Sequence, residues 1–529
     1  MPVDCLIHEA RVVDGTGGPW FVSDVLLRDG RIAEIGKSVQ ADGARIVDAR
    51  GLYLAPGFID AHCHDDLICL REPERFEKIA QGVTTLVVGN CSFSLYPTAA
   101  GSAGNLRKHF STLLGDVSAD EVFEDFAGYR DAIHGRGLAL NLVSLVGHAA
   151  LRLAVIGHER RAATDAECAR MQALLARQLR AGAAGLSLGL VYPPSAYADR
   201  NELLALSRTV QENGKLLAAH IRGYEGDLLD SMDEFIGLLR DTGVPGLLSH
   251  LQSAGRPNWG QMPDALDKLE QAREQDVDVS FDMYPYPAGS SYILQLLPTD
   301  ALEGGYDGLV ARLAQTDFRE RLRLYLEGKS PKDVPPSKVS LIGWDNVRIS
   351  GVSNPGLKSL EGQSMVQAAA GLGITPFELL VRLILEDQGQ TSIVMFQLDE
   401  KDLHAACTHR LHMVGSDGLP RPGTKPHPRA YGTFPRVAGR LRREGWFGLE
   451  DAVCRMTSRA AERFGLADRG LIRPGMAADL VLFGDAIEDR ATFDSPTQLP
   501  TGIEHVLVAG ETVLENGKMT GRLPGRVLG

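Results

Sequence analysis

Seven side chains able to bind a metal ion recur at one kind of place in this sequence. His62 and His64 close the run GFIDAHCH, Cys91 closes TTLVVGNC, and His148 closes LALNLVSLVGH. His220 lies in LLAAHIR, His250 in GLLSHLQ and Asp417 in LHMVGSDG. Each follows a short apolar run that reads as a buried strand. Residues two apart on a strand project to the same side, so His62 and His64 can face one ion together. A thiolate such as Cys91 is a soft donor that suits zinc, although most free cysteines are simply small buried hydrophobes. One histidine on an apolar strand is usually a satisfied core residue. His220 and His250, at equivalent places in successive units, read as ligands. A carboxylate at Asp417 can take a proton from water and return it to a leaving amine, while the bland alternative is an Asp that caps a turn. His148 reads as a group that orients substrate or a neighbour. The chemistry this set can do is metal-assisted hydrolysis.

Such side chains need a frame that brings strand ends together. Eight apolar runs, the six above plus AGLSLGLVY and VDVSFDMYPY, alternate with amphipathic stretches such as AECARMQALLARQLRAG and MPDALDKLEQAREQD. That alternation is the pattern of βα units and a parallel sheet, and eight strands are what a (β/α)8 barrel needs. Barrel sites lie at the C-terminal ends of the strands, where these ligands fall. The first residues are β-rich and include an RDGR hairpin signal, and AADLVLFG and EHVLVAGETVLENGK repeat that character near the end. The expected division is a small β-sandwich from 1–55 plus 470–529, and a barrel over 56–469. Between the seventh and eighth runs, an insertion at about 291–405 carries SPKDVPPSK and helical pieces around Phe318–Leu326, and reads as a lid or subdomain.

Composition narrows the partners. The 529 residues are 44% hydrophobic and 23% charged, ordinary for a globular chain with a large core. Lys and Arg total 55 against 68 Asp and Glu, a net charge of −13. An acidic chain lacks the electrostatic footprint for nucleic acid or an anionic membrane surface, so a small-molecule substrate is expected, with no nucleic acid and no membrane. Seven cysteines form no CxxC pair or regular framework, and MPVDCLIHEARVVDG lacks the pattern of a signal peptide, so a cytoplasmic protein is expected. The sequence assigns no oligomeric state.

The set GFIDAHCHDD, GVTTLVVGNCSFS, SLVGHAALR, GLVYPPSAYA, FDMYPYPAGSS and GSDGLP…PHPRAYGTFPR resembles the N-acyl-D-amino-acid deacylases (D-aminoacylases) of the amidohydrolase superfamily. The resemblance runs from VVDGTG to PGRVLG. It implies a barrel with a small β-sandwich. It also implies a tightly held zinc on Cys91, His220 and His250, and room for a second, weaker metal position on His62, His64 and Asp417. Asp417 is then the acid/base, Arg429 holds the substrate carboxylate, and Tyr284 and Ser290 touch substrate. Tyr192, His148 and Gln252 complete the residues expected to face it. The planar fork of Arg429 suits a carboxylate. Tyr284 can donate through its hydroxyl, although YPY could equally be only a rigid strand end.

Two departures from the family pattern stand out. The family's His-His-Lys reads His250-Leu251-Gln252 here, so a cation suited to an acidic substrate side chain is missing. Its GNCG reads GNCS, placing Ser92 beside Cys91. The expected reaction is hydrolysis of an N-acyl-D-amino acid to a carboxylate and a D-amino acid. Hydrolysis of dipeptides with a C-terminal D-residue is the nearest alternative. Cyclic amide hydrolysis is a weaker one, because GLSLGLVY has no Lys to be carboxylated between two metals. A ligand-depleted binding protein of the same architecture is disfavoured because all six expected ligands are present.

Overall fold

All eight apolar runs form strands. In the computed structural model these are β1 (Phe58–Asp60), β2 (Val83–Val88), β3 (Asn141–Ser144, resuming as Val146–Gly147), β4 (Gly185–Gly189), β5 (Leu216–His220), β6 (Gly246–Leu248), β7 (Val279–Met283) and β8 (His412–Val414). The structure describes residues 4–331 and 334–529; Met1 to Val3, and Lys332 and Asp333 of the SPKDVPPSK stretch, lie outside the described residues. The eight strands run parallel. The first part of β3 pairs with β2 and β2 with β1. The second part begins a run through β4, β5, β6 and β7 to β8. Beyond the strand ends β8 meets β1: the Ala61 amide donates to the Val414 carbonyl at 3.2 Å, and the Asp417 amide to the His62 carbonyl at 2.7 Å. The fold is thus α/β.

The two-residue period decides which side chains reach the site. In β5, Leu216 and Ala218 join Ile59, Val87, Val143, Leu247 and Met413 in one buried cluster, while Leu217 and Ala219 pack into the larger core with the helices. His220 continues the row of Leu216 and Ala218 past the end of that cluster. The two amphipathic stretches become helices Asp165–Arg180 and Met262–Glu274. The first opens with a capping box between Thr164 and Glu167, which satisfies amides that the helix start leaves without partners.

Both ends of the chain enter a nine-stranded sheet. Its seam is antiparallel, Tyr53–Pro56 against Leu480–Glu488, with Leu480 opposite Pro56 and Phe483 opposite Tyr53. The RDGR signal is a hairpin: Arg28 pairs with Arg31, and Asp29 and Gly30 sit at φ 48° and 74°, as a tight turn matched to strand twist requires. One element departs from the expected division at 470–529. Val527–Leu528 lies parallel to Asn141–Ser144 in the sheet of β1 and β2, because the last residues leave the nine-stranded sheet and run along β3.

The connection from β7 to β8 holds an antiparallel sheet of Ala288–Tyr292, Val347–Gly351 and Ser392–Phe396, and the helix Thr316–Leu326. It starts at the end of β7 and so lies over the same strand ends as the ligands. Among the described residues no single helix is long and apolar enough to cross a membrane.

Candidate metal centre and active site

Six of the seven strand-end side chains gather at one place. The donor atoms of His62, Cys91 and His250 lie within 4.8 Å of one another, as do those of His62, His64 and Asp417. Cys91 Sγ is 3.3 Å from His62 Nε2 and 3.5 Å from His250 Nε2. Asp417 Oδ1 is 3.2 Å from His64 Nε2 and 3.7 Å from His62 Nε2. His62 therefore belongs to both groups. His220 borders the first: its ring centroid is 4.5 Å from that of His250, and its Nδ1 is buried without a hydrogen-bond partner. Of the expected trio of Cys91, His220 and His250, the structure groups Cys91 and His250 with His62, and His220 borders them.

Local backbone explains how short strand ends aim so many side chains inward. Cys91, His250 and Asp417 have φ of 51°, 35° and 47°. Left-handed backbone at a residue with a Cβ is strained and persists only where neighbours enforce it. Gly189 makes room for the Cys91 turn, since a Cβ there would lie 2.2 Å from the Cys91 carbonyl oxygen.

Charge at the site favours a cation. Burial works against ionisation of Cys91, but His62 and His250 pull its thiol well below the usual range. Burial likewise opposes ionisation of Asp417, and Arg429 and His64 overcome it, holding the carboxyl well below its ordinary value. Burial and the adjacent His250 lower His220 to about 4, which leaves it a neutral donor. A cysteine sulfur, imidazole nitrogens and a carboxylate, gathered in two overlapping trios with donor atoms within 4.8 Å, form a donor set that fits a divalent metal with soft and borderline preferences.

The supporting residues include several that sequence reasoning missed. Asp282, fully buried at the end of β7, accepts from the His250 amide at 2.9 Å and lies 3.2 Å from His62 Nδ1. It fixes which nitrogen of His62 faces Cys91. The sequence held a signal for it, a carboxylate at a strand end in FDMYPY. Beneath Asp417, Lys78 Nζ lies 2.8 Å from Asp60 and 3.0 Å from Ser416 Oγ, and the Ser416 amide donates to Asp60 at 2.7 Å. These buried ion pairs fix the turn that carries Asp417, and no local spacing foretells them.

The expected substrate contacts divide. Arg429 is fully buried, with Nη2 2.8 Å from Asp417 Oδ2, while its Nε and Nη1 have no partner. Its guanidinium stands 4.2 Å from the centre of the Tyr284 ring. Ser290 and Tyr284 line the pocket, but the Ser290 hydroxyl donates to the Ile393 carbonyl at 3.0 Å. Tyr192 lines it as well, its ring 4.8 Å from that of His220. Gln252 lies 3.3 Å from His250 Nδ1 and accepts from Gln397 at 3.1 Å. Lys338, from the β7–β8 connection, lines the pocket paired with Glu225. His148 is elsewhere: it opens the helix His148–Val155 behind the site, fully buried between Ser195 and Glu202. Cys63 also turns away, its thiol donating to the Val87 carbonyl.

Comparison with known proteins agrees with this geometry. A model of the amidohydrolase family matches residues 45–227 and 366–514. A D-aminoacylase of Alcaligenes xylosoxydans xylosoxydans is 36% identical over 100% of this chain and 98% of the relative. An N-acyl-D-glutamate deacylase of the same organism is 37% identical over 99% and 96%. A crystal structure of N-acyl-D-glutamate deacylase from Bordetella bronchiseptica, complexed with zinc and a phosphonate mimic of the tetrahedral intermediate, superposes with a TM-score of 0.84 at 35% identity, covering 100% of both chains. The chain belongs to the amidohydrolase family, in its N-acyl-D-amino-acid deacylase branch.

Proposed function

We propose that this protein is a zinc-dependent hydrolase that cleaves N-acyl-D-amino acids to a carboxylate and a free D-amino acid. The observation that carries the reading is Arg429, a buried guanidinium with two donors free, beside the Cys91–histidine–Asp417 cluster. A substrate with a carboxylate a few bonds from its amide can accept from a free donor of Arg429 while its carbonyl reaches the ligand cluster. The D configuration and the zinc are carried over from the relatives, and the soft thiolate of Cys91 supports zinc. Cys91, His220 and His250, with His62, would hold the ion, and His62, His64 and Asp417 a weaker second one. When bound, the metal supplies a Lewis acid that polarises the scissile carbonyl and makes water nucleophilic near neutral pH.

The rest falls to the protein. Asp417, ionised and within reach of His64, takes the proton of the attacking water and returns it to the departing nitrogen. Arg429, with Tyr284 against its face, fixes the α-carboxylate. Tyr192 and Gln252 line the remaining wall. Amide side chains at Gln252 and Gln397, and a lysine already paired with Glu225, favour a substrate with an uncharged side chain. The eight strands are read as a closed (β/α)8 barrel over about 56–469, the terminal segments as a small β-sandwich, and 291–405 as the part that shapes the pocket. All seven cysteines are free, which fits a reducing, cytoplasmic setting.

The test is amine release by zinc-loaded protein from N-acetyl-D-amino acids beside their L-enantiomers. Turnover confined to the D series is expected, with Asp417→Asn lowering kcat by about 10²–10⁴-fold. Absence of turnover in both series would overturn the reading.

A further inference from the structure

Behind Cys91 a chain of hydrogen bonds runs through four side chains, none of them open to solvent. The Ser92 hydroxyl accepts from the Ala149 amide at 2.7 Å and lies 2.7 Å from Ser195 Oγ. Ser195 Oγ is 3.0 Å from His148 Nδ1, and His148 Nε2 is 2.8 Å from Glu202 Oε1. Arg152 pairs with the other oxygen of Glu202. Burial opposes ionisation of Glu202, but His148 and Arg152 hold its carboxyl at about 2. An ionised carboxylate only accepts, so each bond has a direction. Nε2–H of His148 donates to Glu202, Ser195 donates to Nδ1, and Ser92 donates to Ser195.

Serine, histidine and glutamate in this order also make nucleophilic triads. That role is closed here. Ser195, His148 and Glu202 are fully buried, and Ser195 Oγ is occupied on both sides. The end that matters is Ser92, whose neighbour in the chain is Cys91. Both have left-handed backbone, Ser92 at φ 77°, which is strained for residues with a Cβ. The packing around them leaves no slack: a Cβ on Gly147 would lie 2.3 Å from the Ser92 carbonyl oxygen, and one on Gly189 2.7 Å from Ser92 Cβ. The Ser92 amide is also held, donating to Ser187 Oγ at 3.0 Å.

We propose that Ser92, Ser195, His148 and Glu202 are positioning residues that hold Cys91 in the strained turn from which its thiolate reaches the metal. The inference rests on the metal-centre reading. The chain couples the ends of β2, β3 and β4, so the thiolate's aim is set by side chains that touch neither metal nor substrate.

The test uses the full chain, loaded with zinc or with cobalt. Ser195→Ala interrupts the chain, and Ser195→Thr restores a hydroxyl. Ser92→Ala removes the hydroxyl anchor and keeps the Cβ, so it isolates the hydrogen bonds to Ala149 and Ser195 from the backbone turn. Zinc affinity by chelator competition and the thiolate-to-cobalt charge-transfer band are the readouts, with thermal unfolding measured in parallel. Ser195→Ala and Ser92→Ala should weaken zinc binding by about 10–100-fold and diminish the cobalt band. Ser195→Thr should recover most of both. Affinity and band within twofold of the parent in both variants, with only the unfolding temperature lowered, would overturn the proposal. A parent that takes up neither metal would overturn the metal reading and this inference with it.

Discussion

Nη2 of Arg429 lies 2.8 Å from Oδ2 of Asp417, while Nε and Nη1 of the same guanidinium meet no acceptor in a fully buried setting. Nη2 thus sets the charge of Asp417, while Nε and Nη1 are left without an acceptor. The cost of leaving such donors unpaired is offset when a carboxylate arrives.

Arg429→Ala should therefore weaken kcat/KM for an N-acyl amino acid by about 2–5 kcal/mol of transition-state stabilisation, the range for losing one partner of a buried charge pair. Arg429→Lys should recover only part, since an ammonium keeps the charge and loses the fork. Substrates with the carboxylate blocked as an amide should lose clearly less, since they feel only the change at Asp417 and not the lost carboxylate contact. Equal losses on free and blocked substrates would contradict the assignment.

Selectivity should turn on Gln252. Its amide lies between His250 and Gln397 in the pocket wall. In Gln252→Lys a cation becomes available to an acidic side chain. The ratio of kcat/KM for N-acetyl-D-glutamate over N-acetyl-D-leucine should rise at least about tenfold, equivalent to about 1.4 kcal/mol. Competition assays on mixed substrates measure it directly.

Asp282 touches no substrate and should matter through His62. Asp282→Ala frees the His62 ring to turn and removes the acceptor for the His250 amide. Metal affinity should fall by about 10–100-fold, with activity recovering at high metal concentration. Activity that stays low at saturating metal would assign Asp282 a different part.

Acid should destabilise the fold through His109, which is 8% exposed and stacked on Phe93 with centroids 4.7 Å apart. Burial, aided by His158, lowers its pKa from 6.5 to about 3. Between those values the unfolded chain binds a proton that the native ring refuses. The contribution is therefore complete above the unfolded value and is lost as pH falls through the window. At pH 5 the loss is about 2 kcal/mol. Urea unfolding at pH 7.5 and 5 should show a smaller difference for His109→Phe than for the parent.

The sequence located the site because metal ligands sit where strands end, and both signals are local. Apolar runs mark the strands, and His62, His64, Cys91, His220, His250 and Asp417 close them. His148 too closes an apolar run, but a helix begins at that residue directly after Val146–Gly147, so it orients Ser195 and Glu202 and does not face the pocket. Asp282 shows in sequence only as a carboxylate at a strand end, and its bond to His62, like those of Ser416 to Asp60 and Lys78, joins residues more than 200 positions apart that no local pattern links. The hairpin at Asp29–Gly30 was legible, since a tight turn is written in adjacent residues. Ser92 was noticed as a change of residue, while its bonds to Ala149 and Ser195 emerge only when three strand ends are side by side.

The seam between Tyr53–Pro56 and Leu480–Glu488 also sets a timetable for biosynthesis. The partner strand is made more than 400 residues after the first, about 20 to 90 s later at ordinary translation speeds of roughly 5–20 residues per second. Throughout that interval the early strands present an unpaired edge to the cell. A nascent chain stalled before residue 480 should accordingly be a chaperone client, while release of the whole chain should let the seam zip shut.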